Sequence, residues 1–300
     1  MKITSPTARQ IRRMIAVWLT SYVILFTPTS HAGNTETPLD ITVAVYSYFL
    51  ADIRKYSQDH HCLDYQKMGL VKNVTLNELS LMCRAFDAAD FAVNTKWQAH
   101  PMQERMVRSI DAGNAVIGGA AIWGRDATER VYVSDNLLNS GEYAKGIYAP
   151  KEKLPGLLDE IKANGFKNLT GVTDKTWFYD VQALDCLQSK RYYGVTYHTM
   201  FKMVDAERAD FTLMHFSSLP DQSHTVSDIT LNPLPGYKIS FDDSLNFFVS
   251  KSHPDGQRVF AALQKGLAIL RKQGVITQAY QAAGFLPDQD DKRVEIGCHR

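Results

Sequence analysis

Residues 101–122 read PMQERMVRSIDAGNAVIGGAAI. Met102, Met106, Val107 and Ile110 recur at helical spacing, which predicts an amphipathic helix over 101–111. Ala112-Gly113-Asn114 stops it, with Gly113 as the C-terminal cap. Residues 115–122 then read as a strand, rich in glycine at Gly118-Gly119. Outward toward the N-terminus, 39–47 (LDITVAVYS) is dense in β-branched residues and reads as a buried first strand. Residues 73–85 read as a helix through Leu76, Leu79 and Met82, with Thr75 and Glu78 spaced as a capping box. Residues 86–97 supply a second strand. Strand, helix, strand, helix, strand is the alternation of an α/β unit with a parallel sheet.

Outward toward the C-terminus a second such unit follows. Its strands are 168–173, 192–197 and 209–216, and its helices are 177–188 and 198–206. Residues 143–150 (YAKGIYAP) precede it as a crossing strand, and 237–250 follow it as another extended run. A long helix over 257–273 ends at Gly274, and a last helix spans 276–283. The predicted fold is therefore α/β with two lobes, the second (146–236) inserted into the first (39–145 plus 237–300). Two crossing segments act as the hinge, and a cleft lies between the lobes where strand ends and helix N-termini converge.

Residues 1–32 read as a secretory signal peptide. Lys2, Arg9, Arg12 and Arg13 precede a mostly apolar run of about 13 residues, too short to span a bilayer. Ser30-x-Ala32 fits a cleavage site after Ala32, which places the working protein in the periplasm. Beyond the leader, 29 basic residues face 32 acidic ones, a net charge near −3 with no basic block. This argues against nucleic acid as a partner. Cys62, Cys83, Cys186 and Cys298 permit two disulfides in an exported chain, with three possible pairings. Cys62 with Cys83 closes a short local loop and is expected first, leaving Cys186 with Cys298. His60, His61 and Cys62 raise metal as a rival. Their adjacency makes their side chains diverge, so no metal site is expected.

Three stretches carry a resemblance. Residues 110–134 (IDAGNAVIGGAAIWGRDATERVYVS) give helix end, glycine stop, strand, loop, an E-R pair and a serine turn. Residues 203–216 (MVDAERADFTLMHF) give a helix and strand around Arg208-Ala209-Asp210, and 245–285 give a strand, a long helix, a glycine turn and a last helix. In this order they resemble the type II periplasmic solute-binding proteins, in the branch that includes polar amino-acid binders. The resemblance implies a small polar or anionic solute caught between two lobes, and delivery to an ABC-type importer or signalling to a membrane receptor.

It also implies first-lobe contacts from Tyr46, Tyr48, Trp97, the loop with Gly119, Ala120 and Trp123, and either Arg125 or Arg130. Second-lobe contacts would come from Thr173, Thr176 and Trp177, at a helix N-terminus suited to an anion. His215 stands where the family places an amine-binding carboxylate. A histidine offers no permanent negative charge, so an acidic, aromatic or non-amine solute is expected. Bland readings stand beside these: core packing for Trp97, sheet-face packing for Tyr46 and Tyr48, a solvated loop for either arginine, and a hydrogen-bonded core histidine for His215.

No G-x-S-x-G, H-E-x-x-H, P-loop or G-x-G-x-x-G motif occurs, so neither an enzyme nor a cofactor is expected. A membrane permease or a sensor receptor is the expected protein partner, and a monomer the expected state. The alternatives are a sensory or partner-binding protein of the same fold and a secreted hydrolase.

Overall fold

The computed structural model describes residues 37–57, 61–286 and 292–296. The expected leader, His60 and Cys298 lie outside the described residues. The chain runs β1 (Leu39–Tyr46), α1 (Leu50–Ser57), α2 (Tyr65–Met68), α3 (Val74–Ala88), β2 (Val93–His100), α4 (Gln103–Asp111), β3 (Ile117–Gly118), β4 (Ile122–Trp123) and β5 (Val131–Val133). It continues through β6 (Ala144–Ala149), α5 (Leu154–Asn164), β7 (Thr170–Thr173), α6 (Phe178–Cys186), β8 (Lys190–Tyr193), α7 (Tyr197–Asp205), β9 (Phe211–His215), β10 (His224–Val226), β11 (Ile229–Pro233) and β12 (Tyr237–Ser240). The last stretch holds β13 (Leu245–Asn246), β14 (Phe248–Ser250), α8 (Gly256–Lys272), α9 (Val275–Ala282) and β15 (Val294–Glu295).

Two large sheets form. The first has the order β2-β1-β3-β14-β5, with β1, β2 and β3 parallel and β14 antiparallel to its neighbours. The second has the order β10-β11-β6-β9-β7-β8, with β12 beside β6. There β7 is parallel to both β8 and β9. Each sheet thus holds one βαβαβ unit whose first strand lies between the other two. The chain crosses from the first sheet to the second through residues 134–143 and returns through 241–244.

Side-chain alternation explains why the helices cover both faces. On β1, Ile41, Val43 and Val45 join the cluster of α3 and α8, while Ala44 faces Met106 and Ile110 of α4. On β9, Phe211 and Leu213 pack with Leu157, Ile161 and Leu184 of α5 and α6, while Met214 meets Met200 and Phe201 of α7. Each such buried aliphatic or aromatic side chain contributes roughly 1.5–3 kcal/mol. Helices α3 and α8 approach closely because Gly266 has no side chain: a Cβ there would collide with the carbonyl of Ala85. Cys62 and Cys83 form a disulfide that ties the segment before α2 to α3, a loop whose closure is worth about 3 kcal/mol. Cys186 is also disulfide-bonded.

Several expected elements shift. The cap of α3 is Asn73, whose Oδ1 accepts from the Leu76 N–H at 3.0 Å, not a Thr75–Glu78 box. Glu78 turns inward and is buried instead. The helix runs on to Ala88, so 86–92 is not strand and β2 begins at Val93. The expected strand 115–122 pairs with β1 only at Ile117 and Gly118. Beyond them Gly119 packs against Leu79 and Val45, and the chain leaves the sheet. The expected strand 192–197 is displaced to β8 and ends at Tyr193, because Thr196 caps α7. Helix α5 and the β10–β11 hairpin were not anticipated. Finally β12 pairs with β6, and β15 pairs with β12. Segments 237–240 and 294–295 therefore join the second sheet and not, as expected, the first lobe.

Candidate functional site

In a doubly wound sheet, ligands lie outside the strand C-terminal ends where the strand order reverses. In the first sheet this point lies beyond Tyr46 of β1 and Gly118 of β3; in the second, beyond Thr173 of β7 and His215 of β9. Two adjoining cavities open there, of about 360 and 400 Å³. Val74, Thr75, Tyr143, Lys145, Tyr197 and Phe285 line both, so they are two parts of one cleft. Such volumes suit a metabolite-sized ligand.

The first cavity takes Tyr46, Glu78, Ala120, Trp123 and Arg125 from the first unit and the return segment's Phe241. From the second unit it takes Thr176, Trp177, Tyr179 and Asp180. Aromatic rings form its floor. Trp123 packs on Tyr143 at 5.5 Å and Tyr179 at 4.8 Å, and Tyr143 stacks on Phe241 and Phe285 at 5.4 and 4.9 Å. Trp177 meets Tyr197 at 5.2 Å. The hydroxyls of Tyr143 and Tyr197 have no hydrogen-bond partner among the described residues. Burial holds both phenols above their usual range.

Charge enters this aromatic wall at four places, one of them Asp126, whose Oδ2 accepts from Gln103 Nε2 at 2.9 Å. Lys145 Nζ donates to both oxygens of Asp180, at 2.7 and 2.8 Å, and the Thr173 hydroxyl donates to Asp180 Oδ2 at 3.1 Å. The pair is nearly sealed, with side chains 11% and 4% exposed. Asp180 sits in the first turn of α6, where the helix dipole favours a carboxylate. The helix N-terminus expected to meet a ligand anion thus carries a carboxylate of its own.

Glu78 is the second place. Its Oε2 accepts from the Ala121 N–H at 3.0 Å and its Oε1 from the Tyr280 hydroxyl at 2.8 Å. Burial pushes its carboxyl up to about 7. Arg125 is the third. Its guanidinium lies over the Phe178 ring, 3.2 Å from the centroid, and makes no salt bridge among the described residues. Its backbone N–H donates to Asp243 Oδ2, which also accepts from the Tyr179 hydroxyl at 2.6 Å.

The expected contact residues divide accordingly. Tyr46, Ala120, Trp123, Arg125, Thr176 and Trp177 line the first cavity, and Tyr48 and His215 the second. His215 is neutral, its pKa lowered to about 3 by burial, by His224 and by Lys145. Four others sit elsewhere. Trp97 donates its indole N–H to Ser57 at 3.2 Å and packs at the edge of the core. Gly119 gives its space to Leu79 and Val45. Arg130 is exposed on the loop beyond, its carbonyl accepting from the Lys251 N–H. Thr173 is fully buried behind Asp180. Reasoning from sequence missed Lys145, Asp180, Glu78, Tyr143 and Tyr179. The signal for the first three was a lone charge inside an apolar run.

No protein-family model matches the sequence, and no curated protein sequence does. Solved structures do superpose on it. YckB of Bacillus subtilis aligns over 86% of this chain and 96% of its own, at 16% identity and a TM-score of 0.52. A double mutant of the BvgS VFT2 domain of Bordetella pertussis aligns over 81% and 92%, at 11% identity and 0.52. An amino-acid ABC transporter substrate-binding protein of Streptococcus pneumoniae, bound to L-arginine, aligns over 83% and 95%, at 13% identity and 0.50. The chain has the two-lobed fold of the type II periplasmic solute-binding proteins. Within that fold the cleft described above lies between the two βαβαβ units.

Proposed function

We propose that the protein is a periplasmic solute-binding protein that captures a small polar or anionic solute between its lobes and hands it to an ABC-type importer. One observation carries this reading. Both βαβαβ units present their strand C-terminal ends to a single cleft, which is walled by aromatic rings and set with a few polar groups. Preformed, mostly apolar sites with few convergent polar groups are the usual form of small-ligand sites. Segments 134–143 and 241–244 would serve as the hinge, with lobe boundaries close to 39–143 plus 241–286 and 144–240. The expected leader supports export, and no described helix is long and apolar enough to cross a membrane. Binding is the role proposed, with Lys145, Asp180 and Glu78 held at the wall by the protein's own hydrogen bonds.

A second reading has one observation in its favour. The likeness to the BvgS VFT2 domain, at a TM-score of 0.52, is as close as the likeness to the Streptococcus pneumoniae ABC transporter substrate-binding protein, at 0.50, so delivery of a signal to a membrane receptor stands beside delivery to an importer.

A thermal-shift screen of metabolites against the purified chain tests the common core of both readings. A ligand at 100 times its dissociation constant should stabilise the fold by about 2.7 kcal/mol. Trp123 and Trp177 line the cleft, so the same ligand should change the intrinsic tryptophan fluorescence. A metabolite converted to product instead would replace binding by catalysis. Pull-down of a permease or of a sensor from membranes, with and without the ligand, separates the two deliveries.

A further inference from the structure

We infer that the solute is an uncharged planar ring compound, and that the Tyr143 hydroxyl holds its hydroxyl, carbonyl or amide group. This rests on the reading of the cleft as a solute site and specifies both the ligand and a contact.

Tyr143 is only 5% exposed, and it lines both cavities. Its ring packs on Trp123, Phe241 and Phe285, so its hydroxyl is the part left for a ligand. That hydroxyl has no hydrogen-bond partner among the described residues. Yet among them no fully sealed side-chain oxygen or nitrogen lacks a partner. The Tyr143 oxygen therefore opens onto the cleft. A ligand that fills the cleft must bond this hydroxyl or leave it unsatisfied, which is costly.

The charges at the first cavity pair off. Lys145 is held by both oxygens of Asp180. Arg125 stands beside Asp126, whose carboxyl is raised by burial and drawn back down by the arginine. Glu78 accepts from Ala121 and Tyr280. Lys72 borders the second cavity but is exposed, where water and salt screen its charge. A solute carboxylate thus meets no unpaired buried cation. An ammonium group fares no better, because ring faces that could take it already hold the protein's own cations. Lys145 lies 4.8 Å from the Trp177 centroid and Arg125 3.2 Å from that of Phe178. An uncharged solute meets neither conflict.

The flat body follows from the wall. Trp123, Trp177 and Tyr197 line the first cavity, and aromatic faces favour planar rings. A sugar would need partners for several hydroxyls, whereas Asp180, Glu78 and Asp126 already accept from the protein. A ring with one or two polar groups suits such a wall.

The test is a library of phenols, heteroaromatic lactams and aromatic amides, each paired with a carboxylate-bearing and an ammonium-bearing counterpart, with monosaccharides alongside. Binding is read by calorimetry. The expected result is at least one uncharged ring ligand whose charged counterparts bind tenfold or more weakly. A charged counterpart that binds as tightly, or a monosaccharide as the tightest ligand, overturns the inference while the cleft remains a solute site. A library with no ligand of any kind overturns the inference and counts against the proposed function too.

Tyr143→Phe keeps the packed ring and removes only the hydroxyl, which has no partner in the protein. The variant should keep the wild-type far-UV circular dichroism and melt at the same temperature or higher. Its affinity for the uncharged ligand should fall tenfold or more, while an analogue lacking the ligand's polar group should bind wild type and variant alike. Unchanged affinity for the full ligand, or an equal loss for the analogue, overturns the assignment of Tyr143.

Discussion

Glu78 is a carboxyl group buried at the cavity wall with two donors and no salt-bridge partner among the described residues. In the folded state it keeps its proton to about pH 7, whereas in the unfolded chain it releases it from about 4.5. Between those values the unfolded state binds fewer protons, so stability is greatest below pH 4.5 and falls as pH rises through 7. At about 1.4 kcal/mol per pH unit the fall from this group reaches roughly 3 kcal/mol. Denaturant unfolding at pH 5 and pH 7.5 should show about 2 kcal/mol of that fall for the wild type, and Glu78→Gln should remove most of it. A slope unchanged by the substitution would assign the effect to another group. At this scale the sequence was half legible. Trp123 and Trp177 could be placed at the cleft because they follow strand ends, where an α/β unit puts its ligand, and Arg125 and Thr176 only through the resemblance. Lys145, Asp180 and Glu78 could not, because what matters about them is which partners meet across 35 to 202 residues of chain, and a single sequence does not carry those pairings.

Helices α3 and α8 meet backbone to backbone at Gly266 and Ala85. Gly266→Ala should push them apart and cost about 3 kcal/mol, the upper part of the range for overpacking a core, measured as a lower midpoint in urea. Ala85→Gly should leave the contact intact and serve as the control. The elements were legible where a period was clean. The valine-rich run of β1 and the Met106–Ile110 face of α4 read directly, because the first alternates across a sheet and the second repeats along a helix. Boundaries failed where two principles competed. Phe86 looks like strand by composition, but it continues the buried face of α3 and packs on Phe91, so the helix wins to Ala88. Pro155 and Gly156 hid α5, although a proline in the first turn is where helices accept one. Strand β8 shows no alternation because all four of its residues are exposed at the sheet edge.

Across the whole molecule, α6 of the second unit meets the return segment through one short hydrogen bond, Tyr179 to Asp243, and meets the first unit where Trp123 and Arg125 pack on Tyr179 and Phe178. These contacts hold the two units together, as closing contacts do in hinged binding proteins. Tyr179→Phe removes a hydrogen bond to a charged group, worth about 1.5–3 kcal/mol, and should shift the population toward an open form. Small-angle scattering should show a larger radius for the variant, and solute affinity should drop by tenfold or more. Equal radii and affinities would mean that the bond does not hold the closed form. The position of β14 has a consequence of another kind. It lies between β3 and β5, so the first sheet cannot be completed until residue 250 is available, whereas β6 to β9 of the second sheet come from the continuous run 144–215. Early residues must therefore wait for late ones, and pairings between distant segments form slowly. Pulse-labelled hydrogen exchange during refolding should protect the amides of β7 and β9 before those of β1 and β3. During synthesis the middle of the chain would then mature ahead of both its ends.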